Sequence, residues 1–135
     1  MVDLPARTRN ILVVDDSADY VSFVQLFLEA EGFQVDTALS TDAMQQMLRS
    51  RTTDMVISDV RIPGDEAFAV LNILRADTRT SNIPVLLCTA ALQEVEESSE
   101  RLRQEGVEIL FKPFDIEVLL DYVRRLTHVQ VAPRV

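Results

Sequence analysis

Short apolar runs alternate with longer segments of helical spacing along the whole chain, and this alternation constrains the fold more than any other feature. Residues 11–14, 55–57, 85–88 and 107–111 are brief, apolar and rich in β-branched or aliphatic side chains, and 33–38 is a weaker run of the same kind. Runs this short and this apolar suit strands buried on both faces, as in a parallel sheet. Between them the apolar period changes to that of a helix. Val21, Val24 and Leu28, with Phe23 and Phe27 beside them, make one stripe that ends at Gly32, a residue suited to a helix C-terminus. Residues 41–51 place Met44, Met47 and Leu48 on one side, and 67–76 carry Phe68, Leu71 and Leu74. Residues 93–105 are polar and acidic and end at Gly106; residues 115–127 follow Pro113 and carry Leu119, Tyr122, Val123 and Leu126. The pattern predicts a β-α unit five times over, hence an α/β fold with a parallel five-stranded sheet and helices on both faces.

The chain of 135 residues, 47% of them hydrophobic, suits one domain with a core of its own. Residues 10–128 read as that domain, with 1–9 an N-terminal extension and 129–135 a tail or the start of a linker. The single Cys88 cannot form an internal disulfide, which favours a reducing compartment. No apolar stretch is long enough to span a membrane, and the first ten residues lack the apolar core of a signal peptide, so a cytoplasmic protein is expected. A net charge of −9 argues against direct contact with the phosphates of nucleic acids.

In open α/β sheets, ligands bind beyond the carboxyl ends of the strands. The residues just past those ends are Asp15 and Asp16, Asp59, Thr89 with Ala90, and Lys112 followed by Pro113. Singly, each has a plain structural reading. Asp15-Asp16 can cap a helix, Asp59 can shape a turn, Thr89 can be structural, and Lys112 can be a solvated lysine. Together they put three carboxylates, a hydroxyl and an ammonium on one rim. Two carboxylates at ~4 Å repel by about 1 kcal/mol in water and about 4 kcal/mol at an effective dielectric of 20. A hard divalent cation such as Mg²⁺ removes that cost. One carboxylate then remains as a nucleophile toward a phosphoryl group, whose oxygens the hydroxyl and ammonium can bind.

The runs Ile11-Leu-Val-Val-Asp-Asp-Ser17, Ile57-Ser-Asp-Val-Arg-Ile-Pro-Gly64, Leu86-Leu-Cys-Thr-Ala90 and Phe111-Lys-Pro-Phe114 resemble, in this order, the receiver domain of two-component response regulators. The likeness covers roughly residues 9–128. It implies a flavodoxin-like (βα)5 three-layer sandwich with strand order 2-1-3-4-5. It implies that Asp59 accepts a phosphoryl group from a histidine kinase or histidine phosphotransfer protein. Mg²⁺ would be held by Asp15, Asp16, Asp59 and the backbone carbonyl of Arg61. Lys112, Thr89 and the backbone N–H of Ala90 would bind the phosphoryl oxygens. The switching surface would be the fourth helix, fifth strand and fifth helix, read by a downstream effector or output domain or used for a homodimer. Such a domain catalyses only its own phosphorylation and dephosphorylation. Arg61 and Ala91, two residues past Asp59 and Thr89, would flank the path of an attacking water, with Arg61 lengthening the life of the acyl phosphate.

Two positions depart from the family pattern. Ile109 stands where a Tyr or Phe is usual, three residues before Lys112, and Asp65-Glu66-Ala67 follows Gly64 where a glycine is common. Ile109 keeps open a receiver that acts by protein contact without phosphorylation. A Mg²⁺-dependent phosphohydrolase with an aspartyl nucleophile is a further alternative, although Arg61 occupies the place of its acid/base residue. Gly-rich nucleotide-binding motifs are absent after the first strand. His128 reads as an ordinary residue near the chain end, Cys88 as an inert core thiol, and the Glu-rich 93–105 segment as a solvated face.

Overall fold

The computed structural model describes residues 8–128. Most of the expected extension 1–9 and all of the expected tail 129–135 therefore lie outside the described residues. Five strands, β1 (Asn10–Val14), β2 (Gln34–Ala38), β3 (Met55–Ser58), β4 (Val85–Thr89) and β5 (Glu108–Phe111), form one parallel sheet in the order β2-β1-β3-β4-β5. The helices are α1 (Ala18–Ala30), α2 (Thr41–Ser50), α3 (Ala69–Ala76), α4 (Leu92–Glu97), α5 (Ser99–Gln104) and α6 (Ile116–Leu126). The fold class and strand order follow the expectation.

The pleat sorts each apolar run into two cores. Ile11 and Val13 pack with Val21, Val24 and Leu28 of α1 and Leu119, Leu120 and Val123 of α6. Their neighbours Leu12 and Val14 pack with Met44 of α2, Leu71 and Leu74 of α3, Val95 of α4 and Leu102 of α5. Every residue of β3 and β4 is buried, because both strands are interior and covered on both faces. Two helix ends share one closure. Phe33 N–H bonds the Leu28 carbonyl and Gly32 N–H that of Glu29, at 3.1 Å each; Val107 and Gly106 repeat the pattern on Leu102 and Arg103 at 3.0 and 3.1 Å. Both glycines adopt positive φ, as this C-terminal motif requires.

Two expected elements differ. The single helix over residues 93–105 is two helices that meet at Ser98. Ser98, at φ −110° and ψ 13°, leaves the helical region, and its N–H is shared between the Glu94 and Val95 carbonyls at 3.2 Å each. The helix expected over 67–76 starts at Ala69, because Phe68 sits at φ 64°. Its N–H is tied back to the Val60 carbonyl at 2.8 Å and its ring is buried, which holds a non-glycine residue in a region it rarely enters.

Candidate functional site

Strand register builds the site. Val14 pairs with Ser58, and Thr89 with Phe111, so the residues that leave β1, β3, β4 and β5 emerge side by side on one rim. A further bond, Lys112 N–H to the Thr89 carbonyl at 2.8 Å, continues the ladder one residue past β5.

Four of the expected side chains meet there. Lys112 Nζ lies 2.9 Å from Asp15 Oδ2 and 3.1 Å from Asp59 Oδ2. Thr89, wholly buried, donates its hydroxyl to Asp59 Oδ1 at 2.6 Å and accepts the Ala91 N–H at 3.0 Å. The Arg61 N–H also reaches Asp59 Oδ1, at 3.3 Å. Asp15 Oδ1 accepts the Ser17 N–H at 3.0 Å, so one residue turns the chain into α1 and orients a carboxylate inward. Asp59 is thus gripped through both oxygens while keeping a side-chain exposure of 20%. Burial works against the Lys112 ammonium, but hydrogen bonds and charge from Asp15 and Asp59 outweigh it and raise its pKa.

Asp16, Arg61 and Ala90 lie on the same rim and are exposed. Among the described residues, no three His, Cys, Asp or Glu side chains are gathered into a metal cage. The donors still fit a hard divalent cation in kind. They are all oxygen, and the Oδ2 atoms of Asp15 and Asp59 already converge on one positive charge.

Three contacts were beyond the sequence reading. The Arg61 side chain turns away from Asp59 to Glu94 in the first turn of α4, with Nη2 and Nε at 2.6 and 2.9 Å from Oε1. That guanidinium holds the Glu94 carboxyl below its ordinary range. The Tyr20 ring lies under Lys112, with Nζ 4.3 Å from its centroid. The Tyr20 hydroxyl is buried beside the Cys88 thiol, with no hydrogen-bond partner of ordinary geometry among the described residues. Burial pushes the Cys88 thiol up to about 12, in keeping with an inert core position. Ile109 packs against the α2–α5 core, whereas Phe111 is exposed and does not fill the place of the missing aromatic. A cleft of about 540 Å³ between α2 and α3, lined by Leu48, Arg49 and Ile73 among others, includes Thr53 and Ile83 just before β3 and β4 and so lies at the amino ends of the strands, away from this rim.

The family model described as the response regulator receiver domain matches residues 11–124. Over 117 residues the chain is 33% identical to the DNA-binding dual master transcriptional regulator RpaA of Synechocystis, covering 87% of this chain and 48% of that protein. It is 35% identical over 118 residues to the response regulator PleD of Caulobacter vibrioides, covering 87% and 26%. The solved structure of the chemotaxis response regulator CheY4 of Vibrio cholerae superposes with a TM-score of 0.77 at 27% identity, covering 89% of this chain and 99% of that one. The chain spans about half or less of the length of these curated relatives.

Proposed function

The chain belongs to the response regulator receiver domain family, and from that premise we propose that residues 10–128 form a phosphoacceptor switch centred on Asp59. The donor is a histidine kinase or a histidine phosphotransfer protein. An Asp59 carboxylate oxygen bonds to phosphorus as the P–N bond of the phosphohistidine breaks, and the departing imidazole takes up a proton. Lys112 leaves its bridging position to pair with the phosphoryl oxygens. Thr89 and the backbone N–H of Ala90 donate to them. The chain in this reading acts on no external substrate and catalyses only its own phosphorylation and dephosphorylation.

Mg²⁺ would be held by Asp15, Asp16, Asp59 and the Arg61 carbonyl, and when bound it supplies the positive charge that lets carboxylates and phosphate share one rim. The observation that carries the reading is the grip on Asp59. One oxygen faces the Thr89 hydroxyl at 2.6 Å and the other the Lys112 ammonium at 3.1 Å. These are one donor and one cation of the kind that a transferred phosphoryl group needs.

The switched surface is α4, α5, β5 and α6, which combines the acidic residues Glu96, Glu97 and Glu100 with exposed Leu92, Phe111 and Val118. It suits a downstream effector, an output domain or a second copy of the chain. Among the described residues no helix is long and apolar enough to cross a membrane. Ile109 supports a second reading, a receiver that signals by contact alone. To separate the two, the protein treated with acetyl phosphate and Mg²⁺ is reduced with borohydride and its peptides are mapped. Reduction of an acyl phosphate at Asp59, and at no other carboxylate, is expected. Unmodified Asp59 would favour the contact-only receiver.

A further inference from the structure

The Lys112 ammonium sits at the end of a flexible four-carbon stem and must stay centred between two carboxylates. Salt-bridge geometry alone does not hold it there, since a lysine is a point charge that can swing around either partner. A closed ring of contacts does. Asp15 Oδ1 accepts the Ser17 N–H at 3.0 Å, and Ser17 Oγ accepts the Tyr20 N–H at 3.2 Å as the N-cap of α1. The Tyr20 ring faces Lys112 Nζ at 4.3 Å, and Nζ returns to Asp15 Oδ2 at 2.9 Å. Three links are hydrogen bonds or an ion pair; the fourth is a cation over an aromatic face.

From this ring we infer that Tyr20 is a positioning residue for Lys112, a floor that keeps the ammonium between Asp15 and Asp59 ready for the phosphoryl group. The inference rests on the phosphoacceptor reading of Asp59. A plain core role accounts for the ring's burial but not for its placement under the one ammonium that bridges Asp15 and Asp59. The hydroxyl has no hydrogen-bond partner of ordinary geometry among the described residues, and it is the ring that meets the ammonium. The ring face is the working part, so Phe should replace Tyr and an aliphatic residue should not.

The test combines two readouts on wild type, Tyr20→Phe and Tyr20→Leu. The first needs no phosphate. In NMR spectra the Lys112 ε-methylene protons should be shifted upfield by the ring current in wild type and Tyr20→Phe, and return to ordinary positions in Tyr20→Leu. The second is the rate of labelling by acetyl phosphate with Mg²⁺. Tyr20→Leu should be about tenfold slower, the equivalent of ~1.4 kcal/mol, and Tyr20→Phe within about twofold of wild type. Ordinary ε-methylene shifts in wild type would overturn the inference whatever the variants do. So would Tyr20→Leu labelled at the wild-type rate, or Tyr20→Phe slowed as much as Tyr20→Leu. A wild-type chain that takes no label while its ε-methylene shift is displaced would refute the phosphoacceptor reading and leave the Tyr20–Lys112 contact standing.

Discussion

At the scale of single residues, the site is a balance between Lys112 and two carboxylates. Lys112 binds its proton more tightly folded than unfolded, because Asp15 and Asp59 together outweigh its burial. The sign follows directly. Its contribution to stability is whole below the ordinary lysine pKa of about 10.4 and is lost as pH climbs through the raised folded value. The urea midpoint, followed from about pH 9 to 12, should fall more steeply in wild type than in Lys112→Met; parallel curves would contradict this. Asp15, Asp59, Thr89 and Lys112 were legible in the sequence because each lies within two residues of the end of an apolar run, and the α/β rule says where such residues converge. Tyr20 was not. Its spacing fits the apolar stripe of α1, and nothing local marks a ring that will lie under a lysine 92 positions further on.

At the scale of elements, the ends of the helices and the turns between them decide more than the helix interiors do. Gly106, at φ +68°, closes α5 through the bonds of Val107 and Gly106 to Leu102 and Arg103. A Cβ there would meet nothing within 4 Å, so Gly106→Ala should cost the backbone strain alone, about 1 kcal/mol in a urea titration. An unchanged midpoint would mean that the turn relaxes. The loop after Asp59 is joined to α4 by Arg61 and Glu94. If Arg61 protects the acyl phosphate, Arg61→Ala should speed its loss about fivefold, or ~1 kcal/mol, in a chase after removal of donor. An unchanged lifetime would assign Arg61 to the contact with α4 only. The sequence showed both glycine stops, since glycine after an apolar stripe has a local cause. The break at Ser98 and the start of α3 at Ala69 were hidden. The first turns on a single shared hydrogen bond, and the second on a tether from Phe68 to Val60 that only the folded loop creates.

At the scale of the whole molecule, one parallel sheet brings four distant stretches of chain to a common rim, and helices on both faces leave that rim open. The β-α repeat made the layered architecture legible from apolar spacing. The order β2-β1-β3-β4-β5 came from the family resemblance, because spacing alone does not choose among parallel arrangements. The face proposed to switch was less legible, since Ile109 stands where the family resemblance expects an aromatic. All of this converges on one carboxylate. Intact-mass spectrometry after incubation with acetyl phosphate, with and without Mg²⁺, tests it most directly. The account predicts a Mg²⁺-dependent gain of a single phosphoryl group in wild type and none in Asp59→Asn. No gain in wild type, or the same gain in Asp59→Asn, would contradict it.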